Sequence, residues 1–161
     1  MVCVAATSVA QQEAKIARLE AKIARLEAQL VELTPKHNKL LAAQEKARAA
    51  QEQAEKAAYA AGAHLKKLHS QGADKDSIKA ADEAVAEATT LLNRRQAEHG
   101  EITKTTEHVG SSISSIRESI STILKTIHVI EANISAKEAS AAKGALLVLL
   151  LCLAAALPHG S

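Results

Sequence analysis

The chain has no tryptophan and no phenylalanine, and Tyr59 is its single aromatic residue. Aromatic side chains supply much of the buried area of ordinary globular cores. Without them the contacts fall to Ala, Leu, Ile and Val, which suits helices packed along seams. Proline occurs twice and glycine six times, so little interrupts regular structure. Charge of one sign is not concentrated anywhere. Residues 11–58 carry nine basic and seven acidic side chains, 62–99 carry six of each, and 101–143 carry five of each. No segment has the basic excess that phosphate binding requires, so nucleic acid is not the expected partner. Two cysteines, Cys3 and Cys152, stand in apolar stretches near opposite ends, and two thiols set no redox compartment. Cys152 reads as an inert apolar thiol in preference to a palmitoylation site.

Catalytic patterns are also missing. No glycine loop cradles a phosphate, no nucleophile elbow occurs, and the serine clusters have no positioned base. His64 and His69 are five residues apart, which on a helix separates them by about 140° and makes no metal pair. The expectation is a non-enzymatic protein with no metal and no cofactor.

What the chain does have is heptads. Alanine, the best helix former, is abundant. Residues 15–21 and 22–28 are the same seven amino acids, Lys-Ile-Ala-Arg-Leu-Glu-Ala. Ile16 and Ile23 share one heptad position, Leu19 and Leu26 the other, and Leu30 and Leu33 continue the phase. Ile at a with Leu at d favours a two-stranded parallel coil. The partner helix is in the same chain or in another. Glu20 and Glu27 flank the seam and are available to basic residues.

Thr34-Pro35 reads as a cap followed by proline at a first helical position, restarting or kinking the helix. The phase nevertheless persists through His37, Leu40, Gln44, Ala47, Gln51, Ala54, Ala58, Ala61, Leu65 and Leu68. The Ala and Gln layers bury little, so this stretch is expected to be the loosest. His37, Gln44 and Gln51 either set register or lie on a half-exposed face, and the second reading is preferred. Residues 70–74, with Gly72, predict a turn, and Asp74, Asp76 or Ser77 would cap a second helix running to about His99. Gly100 reads as a further break and Gly110 as a weaker one.

Beyond Gly100 the spacing leads through Val109 to a ladder of Ile113, Ile116, Ile120, Ile123, Ile127, Ile130 and Ile134. Its period of 3.5 excludes a strand. Ile at both positions favours three or four helices when they are parallel, and an intramolecular bundle is equally compatible. Ser and Thr on the other faces are weak helix formers, so this helix depends on burial of its stripe. Asn133-Ile134-Ser135 matches a glycosylation acceptor, taken as coincidental.

Residues 144–157 carry no charge. As a helix they are about 21 Å long, against about 30 Å of bilayer hydrocarbon. Three readings compete: a short tail anchor, a glycosylphosphatidylinositol attachment signal with small residues near 133–136, or a helix buried in an assembly. Residues 1–10 are apolar but lack the basic start and longer run of a secretory signal, and Val2 excludes N-myristoylation.

Residues 62–81 resemble a known family. Gly62-Ala-His-Leu-Lys66-Lys67-Leu-His, then Ala73-Asp-Lys75-Asp-Ser-Ile78-Lys-Ala-Ala, is similar to the WHEP helical hairpin appended to some aminoacyl-tRNA synthetases. His69 and Asp82 depart from its pattern. The resemblance implies RNA and protein contacts and marks Lys66, Lys67 and Lys75 as the RNA-contact residues. The tail, in general form, is similar to that of the Ala-rich helical surface proteins of trypanosomatids, which implies a lipid-anchored coat. Membrane-fusion SNAREs also end in heptads and an anchor, but Arg117 lies off the Ile seam and their central polar layer is missing.

The resulting expectation is an all-α protein of elongated helical hairpins or a coiled-coil bundle, with a C-terminal apolar helix. Its parts would be an apolar start (1–10), a heptad helix (11–33), an Ala-rich hairpin (35–99), an Ile-ladder assembly helix (101–143) and a tail (144–161). Its expected role is a scaffold that assembles with itself or other helical proteins and associates with a membrane through 144–157. The alternatives are an RNA-binding or synthetase-associated hairpin and a lipid-anchored surface coat.

Overall fold

The computed structural model describes the backbone of residues 2–156 and the side chains of residues 9–150. It contains two α-helices, α1 (Val2–Gln71, 70 residues) and α2 (Lys75–Ala156, 82 residues), with no strand among the described residues. The all-α expectation holds.

The reversal between them is built from local chemistry. Gly72 has φ of 64°, the left-handed conformation that a Cβ disfavours. Its amide donates to the His69 carbonyl at 3.3 Å, and the Ala73 amide donates to the Leu68 carbonyl at 3.1 Å. These two bonds form a Schellman motif. Leu68 and Ala73 are both half-buried over it. Asp74 then caps α2. Its Oδ1 accepts from the Ser77 amide at 2.9 Å and its Oδ2 from the Ser77 hydroxyl at 2.7 Å.

The chain divides into two units, Leu30–Ser115 and Met1–Gln29 with Ile116–Ser161. In the first, the two helices pair as a hairpin about Gly72. The line from Leu30 to Leu68 along α1 is half-buried or buried at every heptad position given above. The matching line on α2 runs Ile78, Ala81, Val85, Ala88, Leu92, Arg95, His99, Ile102, Thr106, Val109 and Ile113. Ala54 on α1 and Ala81, Thr106 and Ile113 on α2 are the buried members of the two lines. In the second unit Ile123, Ile127 and Ile130 are buried, while Ile16, Leu19, Ile23 and Leu26 on α1 and Ile116, Ile120 and Ile134 on α2 are half-buried.

Three expected interruptions are absent. Helix α1 is continuous through Pro35. Thr34 is no cap, because its hydroxyl donates back to the Leu30 carbonyl at 2.7 Å. Proline supplies no amide to the Val31 carbonyl, a loss that costs about 3 kcal/mol inside a helix. Val31 is 74% exposed, so water reaches that side, and the seam holds the backbone at Leu33 and His37. Helix α2 likewise passes through Gly100 and Gly110 and does not end near His99. A helical glycine costs about 1 kcal/mol relative to alanine, which the seam residues on both sides outweigh.

No described side chain is fully buried. One seam between two helices covers each stripe from one side only.

Candidate functional site

The residues expected to form assembly seams meet within the chain. Leu30, Leu33 and Ile113 belong to the turn unit. Ile16, Leu19, Ile23, Leu26, Ile116, Ile120, Ile123, Ile127, Ile130 and Ile134 belong to the terminal unit. The unit of pairing in this structure is thus the antiparallel partner helix of the same chain. Gln12 extends the α1 stripe by one step towards the N-terminus, and its Oε1 is buried with no hydrogen-bond partner among the described residues. An unsatisfied buried acceptor costs about 1–3 kcal/mol.

The turn unit carries a ladder of polar layers. Gln44 Nε2 donates to Thr103 Oγ1 at 3.1 Å. His99 Nδ1 lies 2.9 Å from Gln51 Oε1, which requires the proton on Nδ1. The buried Thr106 satisfies its hydroxyl on its own helix, donating to the Ile102 carbonyl at 2.8 Å. His37 seats its ring against the bare backbone of Gly110, where an added Cβ would stand 3.2 Å from Nε2. His37, Gln44 and Gln51 lie on a half-exposed face, as the preferred reading has it, and the cross-seam bonds add the register role that was its alternative. They are half-buried, and two of them bond across the seam. Such layers fix register, because a shift along the seam breaks both bonds together. The sequence signal was the recurrence of polar residues seven apart at 37, 44 and 51. Gly110 was read as a helix break when it is the socket for His37.

Most ion pairs lie within one helix. Arg48 with Glu52, Lys104 with Glu101 and His128 with Glu131 are exposed pairs three or four residues apart. Glu98 accepts from Arg95 at 2.7 Å and Arg94 at 3.1 Å. The Arg95 hydrogen bond first, and Arg94 second, hold its carboxyl below the usual Glu value. Ser77 likewise holds the Asp74 carboxyl below the usual Asp value, through its hydroxyl first and its amide second.

Lys66, Lys67 and Lys75, marked by the WHEP resemblance, are exposed on both sides of the turn. His64 and His69 are exposed as well. Among the described residues no three His, Cys, Asp or Glu side chains gather as a metal site. Cys3 and Cys152 lie outside the described side chains.

Beyond the half-buried Ile134, every residue from Ser135 to Leu150 is exposed to solvent. Leu146, Leu147, Val148, Leu149 and Leu150 are each 58–62% exposed. Five consecutive helical residues point in all directions, so this part of α2 is apolar around its whole circumference. No helix among the described residues is long and apolar enough to cross a membrane. The chain matches no family model, no curated protein and no solved structure.

Proposed function

We propose that the chain is a non-enzymatic helical scaffold that attaches to a membrane through the apolar end of α2. The observation that carries this reading is the run Leu146–Leu150, exposed on every face. A helix that is apolar all round needs apolar surroundings all round. A protein groove covers one side of a helix, whereas lipid covers every side. The paired helices upstream would hold the attached end at a defined place on a long helical support. The proposal is of attachment, and the sequence continues apolar to Leu157.

The test is flotation of the full chain with phosphatidylcholine vesicles on a density gradient. The chain is expected to float, and a variant carrying Leu146→Glu with Leu149→Glu is expected to stay at the bottom. Equal flotation of both, or of neither, refutes the reading.

A further inference from the structure

One charged face of α1 has no ion-pair partner among the described residues. Glu13, Glu20 and Glu27 recur at intervals of seven along one edge of the face opposite the seam, and Arg18 and Arg25 recur along the other. Lys15 and Lys22 lie just beyond the arginines. Between the edges stand Ala14, Ala17, Ala21, Ala24 and Ala28, spaced three and four apart. Every one of these residues is exposed, and all belong to the terminal unit.

The charges cannot satisfy one another. Three and four residues to either side of each of the three glutamates stand only apolar side chains. Arg18 has Lys15 and Lys22 as its charged neighbours at those distances. Elsewhere the helices pair their charges at three or four residues, as Arg48–Glu52, Arg94–Glu98, Arg95–Glu98 and Lys104–Glu101 do. Among the described residues none of these seven side chains takes part in an ion pair.

We infer that this face binds a second copy of the chain, α1 against α1, in parallel. The orientation follows from the charges. In a parallel pair related by a two-fold axis, the acidic edge of one helix faces the basic edge of the other. The position before the first core residue of a heptad then meets the position five residues later on its partner. That geometry couples Glu13 with Arg18 and Glu20 with Arg25, each twice. The favourable run ends before Glu27, because Glu32 stands five residues on from it. In an antiparallel pair glutamate faces glutamate and arginine faces arginine. The alanines let the two backbones approach closely but bury little area, so the association is weak and depends on salt. This goes beyond the scaffold reading and stands without it, since it needs no lipid.

The test uses the full chain in detergent micelles with Cys3→Ser and Cys152→Ser, so that new cysteines report alone. Ala14→Cys is oxidised by itself and in mixtures with Ala21→Cys or Ala28→Cys. The exact repeat permits a slip of seven, so cross-links of residue 14 to 14 or of 14 to 21 support a parallel pair. Residue 14 joined mainly to 28, or no cross-link in any mixture, overturns it. Sedimentation with the cysteines removed gives the second measurement. Raising salt from about 50 mM to about 500 mM is expected to weaken pairing at least tenfold. Two variants, Glu13→Lys with Glu20→Lys and Arg18→Glu with Arg25→Glu, are each expected to stay monomeric alone and to pair when mixed. Their helix content, read by circular dichroism, checks folding. Self-pairing by either variant at wild-type strength refutes the inference.

Discussion

The six glycines offer a test of the seam at single-atom scale. Gly62 and Gly100 lie inside α1 and α2, and a Cβ at either meets nothing within 4 Å. Alanine there removes the helical penalty of glycine, about 1 kcal/mol each. Gly110 is also helical and stands to gain the same amount, but its new methyl would sit 3.2 Å from His37 Nε2. The imidazole must shift by a few tenths of an ångström within a half-buried layer, at a cost of order 1 kcal/mol. Gly110→Ala is therefore expected to be neutral or destabilising. Gly72→Ala forces a Cβ into the left-handed region and is expected to cost about 1 kcal/mol. The assay is urea unfolding of the four variants followed by far-ultraviolet circular dichroism. His37→Ala supplies the control, because Gly110→Ala in that background is expected to recover the full gain seen at Gly100. If Gly110→Ala stabilises as much as Gly100→Ala with His37 intact, the ring is not seated on that backbone and the layer as described is wrong.

Further outcomes follow from burial and hydrogen bonding. Ile127 is 6% exposed whereas Leu124 is 45% exposed, so Ile127→Ala is expected to cost about 2–3 kcal/mol and Leu124→Ala under about 1 kcal/mol. Equal losses in urea unfolding would contradict the seam phase. Gln12→Leu replaces a buried unpartnered acceptor with one more step of the Ile and Leu stripe and is expected to stabilise by about 1 kcal/mol, measured the same way, and any loss refutes it. Asp74 and Glu98 both have carboxyl groups held below their usual values, so their contributions are present above the ordinary carboxylate range and are lost as pH falls through it into the lowered range. Melting temperature is expected to fall on acidification below about pH 4, and Asp74→Ala is expected to flatten that fall. An unchanged slope in the variant would remove the cap from the account.

Heptad phase was legible at nearly every position, because burial against a single partner leaves a stripe of period 3.5 that no other packing demands. The turn was legible for the same local reason, since Gly72 followed by Asp74 serves one helix end and one helix start. Continuity was harder to read. Pro35, Gly100 and Gly110 carry real local penalties, and a residue-by-residue reading breaks the helix at each. The stripe on either side is cooperative across those points, and only pairing reveals that it outweighs them. The cross-seam bonds of Gln44 to Thr103 and Gln51 to His99 were invisible because their α2 partners follow from the length of the turn. Sequence also left open whether the seams join one chain or two, and Ile and Leu stripes are compatible with both.

The distribution of those stripes carries a further consequence. The Ile ladder is buried at 113, 123, 127 and 130, whereas the layers between His37 and Gln51 hold polar side chains paired one to one. Apolar layers contribute most of the stability and are indifferent to register, since Ile packs against Ile or Leu at any heptad step. Polar layers contribute little, but each Gln has one partner across the seam, at one place. If the helices of two chains exchanged partners in parallel, Gln44 would face Gln44 and Gln51 would face Gln51, and both Thr103 and His99 would lose their bonds. The same residues that look like weak points in a seam therefore hold α1 to its own α2. The proposed self-pairing and membrane attachment accordingly use the outer face of α1 and the run 146–150 of α2, and neither needs the seam.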